Sequence, residues 1–270
     1  MLFRSPESLD TWELYHRGLW HFFKYTQADN RLALEFMHKA AARDPGNAAV
    51  HAALGMIYRL GGRLFAPLVL AQWNASSLEH GRIAVGLDPL DAMAHAVFGF
   101  GLQRSGEHEA AVRETAQAVA LNPSNATVRG MHALVLAYSG RPAESLPHFS
   151  QAIRLSPFDP LRWLWVHGSS IAYYFLGDYE ASATVGRETC RMRPNAAFGY
   201  RAMLVALAEL GRIDEARQVA DVLHSKFNNE MRTFLTTRGS EFRETDHAAF
   251  VASLAKGGLA LRDGVPIRVN

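Results

Sequence analysis

Twelve histidines are the side chains of this sequence best equipped to hold a metal or move a proton near neutral pH. His51, His95, His132 and His167 all lie in stretches of helical periodicity, and a column of imidazoles on one face would make a metal site. Their steps are 44, 37 and 35 residues, whereas the local prolines step by 34, 34 and 37, so the four need not share a face. They read as isolated, partly buried histidines. His108-Glu109 opens a metalloprotease-like string, but Val112 stands where the second histidine is required. Gly168-Ser169-Ser170 lacks the Gly-x-Ser-x-Gly frame of a nucleophile turn, and no strand pattern precedes it. The sequence has neither a glycine-rich phosphate loop followed by lysine nor Gly-x-Gly-x-x-Gly. The single cysteine, Cys190, excludes multi-cysteine zinc patterns and an intramolecular disulfide, and reads as a small half-buried helix residue of a reducing compartment. The expectation is no catalytic residue, no cofactor and no metal.

The elements that carry these residues recur. Leu87-Asp88-Pro89, Leu121-Asn122-Pro123, Leu155-Ser156-Pro157 and Met192-Arg193-Pro194 follow one another at 34, 34 and 37 residues. Gly106, Gly140, Gly177 and Gly211 keep the same beat at 34, 37 and 34, and Ala84, Ala118 and Ala152 run in step. A period of about 34 marks paired helices stacked as a solenoid. Within residues 92–125, Ala94, Phe98, Gly99 and Leu102 line one helix face, and Ala110, Ala111, Thr115, Ala118 and Leu121 line the next. Gly106 suits the left-handed conformation that closes a helix, and Pro123 forbids its continuation. Pro142 sits in a first turn, where a missing N–H costs little.

Composition bounds the rest. At 270 residues, 49% hydrophobic and 20% charged, the chain is an ordinary globular protein. A net charge of +2 gives no electrostatic case for nucleic acid or anionic lipid. No run reaches the ~18 apolar residues of a membrane span. The early Pro6-Glu7 departs from a signal peptide, and a cytoplasmic location is expected.

Leu54-Gly55-Met56-Ile57-Tyr58 and Gly177-Asp178-Tyr179-Glu180-Ala181 resemble the helix core and inter-helix turn of tetratricopeptide repeat (TPR) proteins. The resemblance implies an all-α, right-handed superhelical solenoid of about six helical hairpins (11–46, 47–91, 92–125, 126–159, 160–195 and 196–230), capped by a C-terminal helix within 231–270. Gly55, Gly99 and Ala133 would mark close helix crossings. The second unit is about ten residues longer than the rest, and its surplus, Gly61 to Trp73, reads as a lengthened helix or else a groove or dimer contact. In the tail, 246–254 reads as an amphipathic helix after a Thr245 or Asp246 cap, ended by Gly257-Gly258, with Arg262 to Asn270 loose. Trp12, Tyr15, Leu19 and Phe22 form an aromatic stripe that suits a core or cap, with self-association as the alternative.

The family pattern places first helices on the concave, partner-binding surface. Carried onto this chain it puts Met56, Phe100, Leu134, Ile171 and Val205 at its centre, flanked by Met93, Tyr138, Tyr174, Phe175 and Phe198. None is Lys or Asn, which argues against the carboxylate clamp of co-chaperone relatives. Two readings stay open: an apolar groove that takes an amphipathic helix or apolar segment, or a surface filled by the protein's own side chains. On the first, Leu134→Asp should impair partner capture at little cost in stability, whereas Ala152→Asp should unfold the array.

A narrower resemblance rests on Trp12 to His21, Pro160-Leu161-Arg162-Trp163, Tyr173 to Gly177 and Phe250 to Leu259. These strings look like the C-terminal repeat region of bacterial class III adenylate/guanylate cyclases and related winged-helix regulators. The chain lacks the alternation of strands and helices that the cyclase catalytic domain needs. The expected function is therefore a non-enzymatic protein-interaction scaffold binding protein or peptide, with a possible homodimer and neither nucleic acid nor membrane as partner. The alternative is the sensory half of a cyclase or regulator.

Overall fold

The computed structural model describes residues 10–65, 70–236, 242–262 and 265–268. They fold as two compact units, Met1–Pro123 and Ser124–Asn270. The first contains α1 (Thr11–Phe22), α2 (Gln27–Arg43), α3 (Ala48–Phe65), α4 (Leu70–Leu87), α5 (Ala92–Arg104) and α6 (His108–Leu121). The second contains α7 (Ala126–Tyr138), α8 (Pro142–Leu155), α9 (Arg162–Phe175), α10 (Tyr179–Met192), α11 (Ala197–Glu209), α12 (Ile213–Lys226), α13 (Asn228–Thr236) and α14 (Glu244–Lys256), then strands β1 (Leu259–Arg262) and β2 (Val265–Arg268). Within each unit, the helices up to α12 pair consecutively as hairpins and each hairpin packs on the next, while α14 packs on α11.

The glycine beat has a direct cause. Gly106, Gly140, Gly177 and Gly211 take φ of 83°, 79°, 80° and 73°, the left-handed region where a Cβ is strained. Each follows a first helix, and the next residue's N–H returns to the carbonyl five back: Glu107 to Leu102, Arg141 to Leu136, Asp178 to Tyr173 and Arg212 to Leu207, at 2.9–3.0 Å. That reach satisfies a helix-end carbonyl and turns the chain into the second helix. The proline beat closes the other turn. Asn47 N donates to Asp44 O, Asp91 to Asp88, Asp159 to Ser156 and Ala196 to Arg193, each bond spanning a proline that ends one hairpin and starts another.

Small residues set helix separation. A Cβ on Gly55 would come within 2.6 Å of Val97, and one on Gly99 within 2.6 Å of Thr115, so a larger residue at either place would overpack the crossing by ~1–3 kcal/mol. Ser77 Oγ reaches Gly55 O at 2.8 Å, and Ser170 and Ser182 exchange hydroxyl-to-carbonyl bonds at 2.8 and 2.9 Å across α9 and α10. Both are buried polar pairs that fix register without adding bulk.

The surplus of the second hairpin lengthens both its helices. α3 and α4 have 18 residues each against 13 or 14 in α5 to α12. Phe65 ends α3 and Leu70 begins α4, while Leu68 and Val69 lie outside the described residues.

The tail corrects the expectation of looseness after Arg262. β1 and β2 pair antiparallel with Arg262 opposite Val265 and Leu259 opposite Arg268. Asp263-Gly264 between them is the two-residue composition that hairpins favour, flanked by the alternation Leu259, Leu261, Val265, Ile267. The helix before it begins at Glu244, with Arg243 at its cap position and no side-chain cap bond.

Candidate functional site

First and second helices of the second unit are buried differently. α8 buries only the stripe Ser145, Phe149 and Ala152, the pattern of a helix with one packed face. α7 buries Val128 and every residue from Gly130 to Tyr138, and α9 and α11 are enclosed almost as completely. A helix buried all round needs cover on two sides. The second helices supply one side. The chain's own C-terminal elements contribute to the other, along α11 and at the C-terminal ends of α7 and α9.

Phe242, Phe250 and Phe234 do this with an aromatic cluster. Phe242 lies edge-on to Tyr138 at 5.2 Å and to Phe175 at 5.3 Å between ring centroids. Phe250 of α14 meets Tyr174 at 5.2 Å and Phe242 at 5.1 Å, and Phe234 of α13 reaches Phe250 at 5.8 Å. The edge-on pairs, all but the tilted Phe250–Phe242, have the geometry that aromatic quadrupoles favour, by about 0.5–1.5 kcal/mol beyond burial. Gly257 continues the contact on α11, where a Cβ would come within 2.5 Å of Leu204. Arg243 lies against the left-handed turn at Gly140 and pairs with Asp246 at 2.7 Å.

A polar relay fastens the helix. Tyr174 Oη is 2.7 Å from Ser253 Oγ, and the Ser253 hydroxyl donates to Glu209 Oε1 at 2.5 Å. Because a carboxylate only accepts, Ser253 spends its proton there and the tyrosine hydroxyl donates to serine. Lys256 Nζ reaches the other Glu209 oxygen at 2.8 Å. Burial pushes the Tyr174 phenol up to about 12. Burial would raise the Glu209 carboxyl, but the bonds from Lys256 and Ser253 outweigh it and hold the group below the usual carboxylate range. Nearby, burial lowers the Arg201 guanidinium to about 10, against the raising effect of Glu230; the group lies 4.2 Å over Phe234. That contact pins α13 to α11.

The ten residues expected to line a groove are therefore placed as follows. Leu134 and Val205 are fully buried and Ile171 is 1% exposed; Leu134 packs against Gly168 of the next hairpin. These three belong to the hairpin core, so Leu134→Asp would unfold the unit as Ala152→Asp would. Phe198 is enclosed by Trp163 and His167 at 5.6 and 5.1 Å. Tyr138, Tyr174 and Phe175 meet the C-terminal cluster. In the first unit Met56 and Phe100 are buried, the latter beneath the Arg59 guanidinium at 4.2 Å, and Met93 is half-buried. In each unit most of these side chains are packed within the chain, Met93 and Phe175 being half-buried. Nothing local announced the contacts of Tyr138, Tyr174 and Phe175, because their partners are remote in sequence: Phe242 lies 104 residues from Tyr138 and 67 from Phe175, and Ser253 lies 79 from Tyr174.

The histidines divide by position. His51 Nε2 lies 3.1 Å from Pro45 O and His95 Nε2 2.9 Å from Pro89 O, so both clasp the inter-hairpin proline turn from six residues on. Tyr200 takes the same place over Pro194 O at 3.4 Å. The step of 44 from His51 to His95 equals that from Pro45 to Pro89, a match the sequence held and the comparison with later prolines obscured. His38, His51, His80 and Tyr58 form a ring cluster, with His38 Nε2 2.7 Å from Tyr58 Oη and the facing nitrogens of His51 and His80 3.0 Å apart. Burial, then the neighbouring imidazoles of His51 and His38, lower His80 to about 4. Burial and the edge-on His148 lower His132 to about 4 as well. Among the described residues no group of three His, Cys, Asp or Glu is arranged to hold a metal ion. Cys190 is buried and its thiol pushed up to about 12, which suppresses thiolate chemistry. Trp163 and Trp165 are both packed, the latter over Gly130.

Among the described residues no helix is long and apolar enough to cross a membrane. No curated protein matches the chain. A family model described as tetratricopeptide repeat matches residues 101–160 and 131–197. Similar solved structures include the human IFIT1 dimer with m7Gppp-AAAA, at 17% identity over 94% of this chain and 59% of that one, with a TM-score of 0.69. PilW, a type IV pilus biogenesis factor, is 15% identical over 78% of this chain and 90% of its own, at 0.56. Pseudomonas aeruginosa pilF is 18% identical over 83% and 96%, at 0.52. At such identities the likeness is one of fold. The middle of the chain, residues 101–197, matches the tetratricopeptide repeat model, on an all-α architecture of stacked helical hairpins.

Proposed function

We propose that this protein is a non-enzymatic protein-interaction scaffold whose first helices recognise an amphipathic helix. The residues that make the recognition surface are Tyr138, Tyr174 and Phe175 with Leu204 and Glu209, a narrower set than the ten positions taken from the family pattern. One observation carries this reading: α14, an amphipathic helix, already lies on that surface, burying Phe250 and Leu254 and presenting Ser253 and Lys256 to Glu209. A partner helix with an aromatic residue, a hydroxyl three positions on and a cation three beyond that would satisfy the same groups. In the resting chain, α14 holds the place.

The test uses a synthetic peptide spanning residues 242–257 and the full chain. The peptide should bind the Phe250→Asp variant, whose own helix is evicted, at least tenfold more tightly than the wild type. Circular dichroism must show the variant's helices intact. Equal affinity for both, or no binding to a folded variant, removes the reading. The narrower likeness to the sensory half of a nucleotide cyclase or winged-helix regulator rests on sequence strings alone, and the family match adds only the repeat.

A further inference from the structure

Three helices of the first unit bring metal-ligating side chains to one place. His38 of α2, His51 and Tyr58 of α3 and His80 of α4 lie together, and the Nδ1 atoms of His51 and His80 stand 3.0 Å apart. The next hairpin has a different pair at the equivalent positions, 44 and 34 residues on. There His95 meets Glu114 at 2.7 Å, an imidazole against a carboxylate. The second hairpin replaces that carboxylate with a second imidazole, so two nitrogen ligands face each other.

We infer that His51 and His80 are a chelating pair for a divalent late-transition ion, Cu²⁺ or Ni²⁺, bound through both Nδ1 atoms. The Pro45 carbonyl, 3.1 Å from His51 Nε2, can only accept, so that nitrogen carries the proton. His51 Nδ1 is then a lone pair turned to His80, and its ring is held by the backbone bond that ligating histidines characteristically make. In the metal-free chain one proton, carried by His80 Nδ1, bridges the two nitrogens. The ion takes the place of that proton, which moves to His80 Nε2, so no charge is lost from either ring. An ion about 2.0–2.1 Å from each nitrogen would see the pair at about 90–97°. That is the cis angle of tetragonal Cu²⁺ and Ni²⁺ sites, whereas tetrahedral Zn²⁺ would need the nitrogens about 3.3 Å apart. Tyr58 stacks on His80 with centroids 5.8 Å apart and planes 5° from parallel, which orients that ring before an ion arrives. His80 is half-buried and the neighbouring His38 exposed, so solvent reaches the pair. His38 Nε2 is engaged with Tyr58 Oη at 2.7 Å, and water completes the coordination.

Calorimetric titration of the full chain with Cu²⁺ and with Ni²⁺ tests the inference. The wild type should bind one ion of either kind saturably, with a Kd below about 100 µM. His51→Gln and His80→Gln should each weaken that site at least tenfold. His148→Gln, which alters the imidazole pair of the other unit, should leave it unchanged. Electron paramagnetic resonance of the Cu²⁺ form should show coupling to two nitrogens, a measurement that needs no variant to fold. A wild type with no saturable site overturns the proposal and leaves a hydrogen-bonded histidine pair. So does a folded His80→Gln variant that binds as tightly as the wild type, or a Cu²⁺ spectrum with fewer than two nitrogens, since either places the ion elsewhere on the chain.

Discussion

α1 and the C-terminal elements around α14 both carry a set of aromatic residues, yet α1 turns tryptophans outward while the C-terminal set is buried. Trp12 and Trp20 of α1 are more than half exposed, whereas Phe250 of α14 is 1% exposed and its neighbours Phe234 and Phe242 are under 10%. The contrast does not come from composition. α1 packs chiefly on α2 and spends Leu14, Gly18 and Phe22 there, leaving its opposite face without a partner among the described helices of its unit. α14 packs chiefly on α11 and, through Phe250, meets Tyr174 of α9. An aromatic stripe therefore reports a contact only when another element has an uncovered face to match it.

The largest effect should come from the buried side of that comparison. Phe250→Ala removes the ring that Tyr174, Phe234 and Phe242 share, and should cost about 3–5 kcal/mol, seen as a lower melting temperature of the second unit. A loss below about 1 kcal/mol would mean that α14 merely rests on its neighbours. Acid should act at an intermediate scale and on both units alike. His80 and His132 have values near 4 when folded against a usual 6.5, so the unfolded chain takes up protons first. Stability is full above pH 6.5, falls as pH drops and levels off below about 4, by about 1–2 kcal/mol for each ring after allowing for solvent around it. A melting temperature that stays flat from pH 7 to 4.5 would contradict the burial of both rings. The smallest effect belongs to the exposed side. Trp12→Ala at low protein concentration should shift stability by less than about 0.5 kcal/mol in chemical denaturation. A larger loss would show that the ring is core and end the contrast with Phe250.

Much of this architecture is legible because local chemistry enforces it. The left-handed glycines and the proline turns dictate where each hairpin bends, so Gly106, Gly140, Gly177 and Gly211 foretell the bends whatever packs around them. Gly55 and Gly99 were readable as crossings for the same reason: a missing side chain has a local signature. The docking of α14 was not readable. Tyr174 and Ser253 are 79 residues apart, and neither carries a sign of the other. Apolar residues on a first helix look the same whether a partner or the chain's own tail will cover them. The β1–β2 hairpin was missed for a simpler reason, since Asp263-Gly264 between alternating apolar residues is itself a turn signal.

Cys190 has a practical consequence. Its sulfur is the only one of its kind in the sequence and is shut away from solvent as a neutral thiol. Maleimide dyes should therefore ignore the native protein, which gives an almost silent background for labelling. A single cysteine substituted at an exposed position of α14, such as Ala252, would carry the only reporter, and its fluorescence could follow that helix leaving or keeping its seat.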